Sequence, residues 1–268
     1  MPDLIFEKRN HIAYLTLNRP ERRNTYSCEM IVLLAQAWRE IRDDKDMRVV
    51  LLTGAGTEAF CAGGDLKYFI PFLTGSRQPE TEYEHSIVND MGQVLVALLR
   101  PFEFYKPIVA AVNGDAIAGG MELLQATDIR VAAETARFGL AEAQRGLVPG
   151  GGSMTRLARQ IPYAKAMEIL LTGDHMSAQE ALDWGFINDV VPSDRLMERA
   201  AEFADRLSRN GPLAIRKIKE CVIRTSGVPI NEAYSIEDAI SAEVMVSKDA
   251  REGPRAFVEK REPNFIGE

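Results

Sequence analysis

The sequence predicts an α/β fold, a mixed core followed by a helical C-terminal part, and three observations predict it. Val49–Leu52 and Ile108–Val112 are short, uncharged apolar runs, the mark of strands buried on both faces. Segments between and after them carry apolar residues at helical spacing. From Tyr163 onward that spacing dominates, and only Ile187–Val191 interrupts it as a strand. Alternating strands and helices that give way to helices point to an α/β core with a helical appendage.

Taken in order, Leu4–Phe6 and His11–Leu17 read as a hairpin, the second arm alternating in polarity. Asn18-Arg19-Pro20 ends it and a basic loop follows. Ser27 is placed to cap a helix running to Asp43, with Met30, Leu33, Leu34, Ala37, Trp38 and Ile41 on its apolar face. After Val49–Leu52 comes the glycine-rich stretch Thr53–Leu66. Residues 67–81 hold Pro71, Gly75 and Pro79 and read as a loop. Glu82–Leu99 reads as one helix with Ile87, Met91, Val94, Leu95 and Leu98 inward. The buried strand Ile108–Val112 turns at Asn113-Gly114 and leads through Gly119-Gly120 into a helix. Ile129–Ala133 and Arg137–Phe138 are short strands, and Gly150-Gly151-Gly152-Ser153 opens the helix Met154–Gln160. Helices are expected over 163–171, 178–184, 194–209, 212–225, 230–247 and 249–259.

Composition narrows the function. The 268 residues are 46% apolar and 26% charged, as in an ordinary globular protein. A net charge of -7 with no basic block argues against a nucleic-acid partner. Cys28, Cys61 and Cys221 are odd in number and far apart, so no disulfide framework is expected and a reducing compartment is. Charges among the first residues exclude a signal-peptide core, and no apolar run is long enough to span a membrane. These features predict a cytoplasmic protein with no membrane association.

The glycine turns carry the chemistry. Gly54-Ala55-Gly56 with Ala59 formally fits a dinucleotide fingerprint after a strand. That motif must open a helix and lead to a second strand, and here another turn, Ala62-Gly63-Gly64-Asp65, follows instead. In Pro107–Asp128 a buried strand delivers a glycine-bare helix start with Glu122 in its first turn. Free amides and the positive helix end there would stabilise a developing negative oxygen. Each turn alone reads better as a tight turn needing positive φ. Alone, Glu122 reads as a helix-start acid and Glu142 as a solvated one. His11, His85 and His175 have no metal-ligand spacing, and no metal is expected. Cys61 lacks a basic partner nearby and reads as a small packed thiol.

Six segments in order resemble the enoyl-CoA hydratase/isomerase (crotonase) superfamily: LNRPERRNTYS, GTEAFCAGGDLK, VNGDAIAGGMELLQATDIRVAA, ARFGLAEAQRGLVPGGG, ALDWGFINDVVP and EGPRAFVEKREPNF. The resemblance runs nearly end to end. It implies a spiral of repeated ββα units over 1–195, with a helical region over 196–268 used in oligomerisation. It implies that the Gly64 and Gly119 amides bind an acyl thioester oxygen, and that Glu122 and Glu142 handle water and the C2 proton. Ala62, Asp65, Leu66 and Lys67 would line the CoA path, and Arg22 and Arg23 would meet its phosphates. Phe257 and Lys260 would reach a neighbouring subunit's CoA, in a trimer or a hexamer of two trimers. No separate cofactor is implied, because CoA is part of the substrate. The activity implied is hydration of a 2-trans-enoyl-CoA. The alternatives are a dehydratase of a substituted hydroxyacyl-CoA, a Δ3-Δ2 enoyl-CoA isomerase and a non-catalytic acyl-CoA-binding protein. Ala118, Met121 and Ala141 depart from the usual pattern, and the 68–81 segment is where substrate choice is expected to vary.

Overall fold

Ten strands form two sheets in the computed structural model, which describes residues 1–268. β1 (Leu4–Arg9) and β2 (Ile12–Leu17) pair as a hairpin. Asn10 and His11 join them at φ of 52° and 64°, the positive values a two-residue hairpin turn needs. His11 is therefore a turn residue and not the first residue of the strand. The helix Cys28–Asp43 starts where the Ser27 side chain accepts from the Met30 N–H at 3.0 Å. Its buried face carries Met30, Leu34, Ala37, Trp38 and Ile41, as its spacing predicts.

Three times the chain then repeats one move. β3 (Val49–Gly54) is followed by β4 (Ala59–Cys61), β5 (Ile108–Val112) by β6 (Asp115–Ile117), and β7 (Ile129–Ala133) by β8 (Arg137–Gly139). After each pair comes a helix: Phe69–Leu73, Gly119–Leu124, and a short turn leading to Ser153–Gln160. With β9 (His175–Ser177) and β10 (Asp189–Val191), the sheets read β1-β2-β3-β5-β7-β10 and β4-β6-β8-β9. All pairs in the larger sheet except β1–β2 are parallel. Successive ββα units thus stack beside one another in a spiral, one strand of each in either sheet. Asn113 fastens two units together: its Oδ1 accepts from the Gly54 N–H at 3.1 Å and its Nδ2 donates to Gly56 O at 2.8 Å.

Both faces of the larger sheet are covered. One meets the main core with Trp38, Met30 and Leu34. On the other, Val49, Leu51, Val109, Ala111 and Val131 pack against Leu196, Ala200 and Ala204 of the helix Leu196–Ser208. The packed core therefore continues through Ser208, past the break expected at 195. Beyond it, the helices Pro212–Thr225, Ile230–Met245 and Lys248–Val258 bury few apolar side chains of their own. Ile218, Val222 and Met245 are 64%, 65% and 73% exposed.

Three other expectations differ from the structure. Glu82–Leu99 is two helices, Glu82–Asn89 and Gly92–Ala97, because the Asp90 carboxylate takes the Gly92 N–H at 3.0 Å and breaks the ladder. Met91 at that break is 52% exposed and not inward. The 67–81 loop contains the helix Phe69–Leu73, which buries Phe69 and Phe72.

Between β6 and the helix that follows, Ala118 holds φ 53° and ψ -126°, a region that side chains other than hydrogen rarely occupy. Such strain costs roughly 1–3 kcal/mol, while a glycine gives back roughly 0.5–1 kcal/mol through its greater freedom when unfolded. Ala118→Gly should therefore stabilise the fold by about 1 kcal/mol. A urea midpoint that falls in the variant would show that this backbone is not strained.

Candidate active site

β4 and β6 are parallel neighbours, so the turns that leave their C-terminal ends lie side by side. Tyr26 bridges the first turn: its N–H donates to Gly63 O at 2.8 Å and its O accepts from the Asp65 N–H at 3.1 Å. The Gly64 amide between them donates to no protein acceptor, and neither does the Gly119 amide at the start of its helix. A Cβ at Gly120 would overlap the Cys61 carbonyl, and one at Gly119 would stand 2.8 Å from the Tyr26 ring. The two turns approach this closely only because both lack side chains there. The Tyr26 hydroxyl donates to Gly119 O at 3.1 Å. Burial, then Cys61, pushes that phenol well up, so it remains a donor.

Both glycines line a cavity of about 450 Å3, and Glu122 and Glu142 line the same cavity. Its other walls are mostly apolar, with Phe69, Ile70, Leu98, Leu147 and Val148 among them. Glu122 is 5% exposed, and its Oε1 accepts from the Ser153 N–H at 3.3 Å. Gly151 leaves room for it, since a Cβ there would come within 2.7 Å of Glu122 Oε2 and displace that carboxyl. Burial raises the Glu122 carboxyl above its usual range, while the Ser153 and Gly151 amides and Arg156 oppose the rise. Glu142 rises to about 7, first through burial and then through the Glu122 charge. Glu142 Oε2 is buried with no hydrogen-bond partner in the protein.

The two carboxyls are therefore unequal. Glu122 has donors that favour its ionised form; Glu142 has none from another residue's side chain and sits next to a negative neighbour. Two free amides and an unequal acid pair around one apolar cavity suit proton transfer beside a carbonyl that becomes an oxyanion.

The other residues singled out in the sequence fall in several places. Ala62 and Leu66 line the cavity, Leu66 being 62% exposed at its rim. The buried Asp65 carboxylate accepts from the Lys67 and Tyr68 amides at 2.9 and 3.2 Å and from Arg19 at 3.3 Å, so it fastens the loop. Lys67 points outward over the Tyr68 ring. Arg22 is exposed. The Arg23 guanidinium is bound to Asp115, which also holds Arg137 at 2.7 Å. Neither arginine is among the cavity walls, and nor are Phe257 and Lys260, both exposed on or just after the last helix. Tyr26, Gly151 and Ser153 were missed as site residues. The third glycine cluster was the one signal for Gly151 and Ser153, and nothing in the sequence marks Tyr26.

Comparison with known proteins shows the family of the whole chain. The enoyl-CoA hydratase/isomerase family model matches residues 7–268. Enoyl-CoA hydratase EchA19 of Mycobacterium tuberculosis is 47% identical over 264 residues, which cover 98% of this chain and 96% of that protein. Carnitinyl-CoA dehydratase of Salmonella heidelberg is 38% identical, with 96% of this chain and 95% of that protein covered. Among solved structures, an enoyl-CoA hydratase from Mycobacterium tuberculosis superimposes with a TM-score of 0.89 at 36% identity, over 100% of both chains. A match from residue 7 to residue 268, with relatives well above 30% identity along nearly the whole chain, shows that the protein belongs to the enoyl-CoA hydratase/isomerase family.

Proposed function

We propose that the protein adds water syn across the C2–C3 double bond of a 2-trans-enoyl-CoA, giving a 3-hydroxyacyl-CoA. The observation that carries this reading is the pair of unequal carboxyls, Glu122 and Glu142, on the same cavity as two amides without acceptors. The thioester oxygen lies between the Gly64 and Gly119 N–H groups. Glu122 takes a proton from water, whose oxygen bonds to C3. Electrons of the double bond move toward the thioester, and the amides stabilise the enolate oxygen. Glu142 delivers its proton to C2, and the enolate collapses. Acid and base facing one cavity give addition to one face.

Run backwards, the same steps dehydrate a hydroxyacyl-CoA, the direction for which the Salmonella heidelberg relative is named. An isomerase needs one acid to shuttle a proton, and a binding protein needs neither, so the acid pair favours hydration over both. The apolar walls suit an uncharged acyl group. Along the CoA, Ala62, Leu66 and Lys67 flank the path. Arg22 rather than Arg23 is left to meet a phosphate, because Asp115 already holds the Arg23 guanidinium. Phe257 and Lys260 would reach a neighbour's CoA in a trimer or hexamer. The uncovered apolar side chains of the last helices support that assembly.

Crotonyl-CoA and longer enoyl-CoAs should lose enoyl absorbance with wild-type protein, and Glu122→Gln or Glu142→Gln should each lower kcat roughly 10²–10⁴-fold. Wild-type protein that binds CoA esters without turning them over would overturn hydration. A Glu142→Gln variant that hydrates normally would overturn the role of that acid.

Glu142 also predicts a stability profile. Well below its ordinary value of 4.5, folded and unfolded chains both hold the proton. Between 4.5 and about 7 the folded protein keeps a proton that the unfolded chain has released, so stability falls as pH rises. Above about 7 the deficit is complete, at most about 3 kcal/mol. Glu142→Gln should therefore be more stable than wild type at pH ~8 and converge with it toward pH ~4.5. Melting curves separated by the same margin at both pH values would contradict the raised carboxyl.

Light scattering coupled to gel filtration should find a trimer or a multiple of it, which Val222→Glu should dissociate. A wild-type monomer would rule out the assembly.

A further inference from the structure

Tyr26 reaches both glycine turns of the cavity, and it reaches each through hydrogen bonds. Its main chain flanks Gly64: the N–H donates to Gly63 O at 2.8 Å and the O accepts from the Asp65 N–H at 3.1 Å. These two bonds pair Tyr26 with Gly64 as a short parallel bridge. The side chain crosses to the second turn, where its hydroxyl donates to Gly119 O at 3.1 Å. A Cβ built on Gly119 would stand 2.8 Å from the ring Cε2, so the ring edge lies against that backbone. Tyr26 is itself held on both sides. Asn24 Nδ2 donates to Ala55 O and Ala59 O at 2.9 and 2.7 Å, and Ser27 caps the helix that follows.

The Gly119 N–H belongs to the peptide that joins Gly119 to Ala118. The oxygen of that peptide, Ala118 O, accepts from the Glu122 N–H at 3.0 Å, while the N–H is left for a ligand. The direction of the N–H is set by the Ala118 backbone, in its strained conformation of φ 53° and ψ -126°. Such a conformation persists only where the surroundings over-determine it. On one side the Ala118 N–H donates to Gly139 O at 2.8 Å. On the other, Tyr26 holds the Gly119 carbonyl and packs against its backbone. A bare phenyl ring would fill the same space, so what the hydroxyl adds is the link from one turn to the other.

We propose that Tyr26 is a positioning residue that sets the spacing of the two free amides: its main chain holds the Gly64 turn, and its hydroxyl ties the Gly119 turn to it. This rests on the reading of those amides as donors to a thioester oxygen. One oxygen accepts from both only if it lies about 2.9 Å from each nitrogen. Loss of the hydroxyl leaves both donors in place and frees the second to move relative to the first.

Butyryl-CoA labelled with ¹³C at the thioester carbon has no double bond to hydrate, and infrared difference spectra follow its carbonyl band when bound. With wild-type protein the band should move to lower frequency on binding, because two donors polarise the carbonyl. With Tyr26→Phe it should move only part of that way, and kcat for crotonyl-CoA should fall roughly tenfold with KM little changed. Thr53→Val is the control. It also removes a buried hydroxyl donor, Thr53 Oγ1 to Ala111 O at 2.8 Å, but within the larger sheet, and it should keep the wild-type band and kcat. Melting curves establish that both variants fold. A folded Tyr26→Phe with the full wild-type shift would overturn the positioning role, and so would a Thr53→Val that loses as much of the shift. A wild-type band that does not move on binding would overturn the reading of the amides and the proposal with it. Wild-type protein that shifts the band, with the shift reduced in Tyr26→Phe, but never hydrates crotonyl-CoA would uphold the role of Tyr26 and overturn hydration.

Discussion

A side chain at residue 120 would overlap the Cys61 carbonyl, and one at residue 63 would stand 2.7 Å from Ala118 Cβ and 3.1 Å from Gly119 N. This contact follows from the parallel pairing of β4 with β6, which brings two strand ends together and leaves no room for Cβ atoms between them. The amides of Gly64 and Gly119 are consequently fixed by main chain, with no side-chain rotamer to select. Donors held this way need no reorganisation when charge develops on a substrate oxygen, which is why such sites are effective. Asn113 and Asn24 reinforce the contact from either side, both reaching Ala59 O, at 3.1 and 2.7 Å. The strained Ala118 backbone is held at the same junction, where the chain turns from β6 into its helix.

The acids depend on that junction as well. Glu122 is one turn into the helix that Gly119 begins, so placing the amide also places the carboxyl. Burial destabilises both carboxylates, and the asymmetry between them comes from hydrogen bonds: Glu122 has the amides of Gly151 and Ser153, while Glu142 Oε2 has no partner. A group held near 7 exchanges its proton readily at neutral pH, and it is kept there at a cost in stability that Arg145 only partly offsets. Structure here favours chemistry over stability.

How much of this the sequence discloses follows from the length and locality of each signal. Val49–Leu52, Ile108–Val112 and the helix after Ser27 are long or periodic enough to read, and they lie where the patterns place them. The smaller sheet is built of three-residue strands, too short for any period, so Ala59–Cys61 and Asp115–Ile117 passed as turn and loop. Glu122 and Glu142 stood out through glycine clusters and family resemblance. Tyr26 did not, because a lone polar residue beside an apolar segment gains meaning only from a partner 93 positions away. Arg23 and Asp65 show the converse: each had a plausible ligand in the sequence, and each is engaged by a charge from a distant segment, Asp115 and Arg19.

The cavity also divides its tasks between different kinds of structure. The amides sit in the turns that leave buried strands, and Glu122 on the helix that one of those turns begins, where backbone pairing leaves little freedom. Much of the apolar wall comes from short helices in the connection between β4 and β5, through Phe69, Ile70, Leu73, Val94 and Leu95, with Leu98 just past the second. These helices are only five and six residues long and lack side-chain N-caps, so their place is set by packing more than by internal hydrogen bonding. A change of apolar side chain there reshapes the acyl wall without reaching the strand ends that hold the amides. The free amides and much of the apolar wall therefore come from parts of the chain that can vary independently.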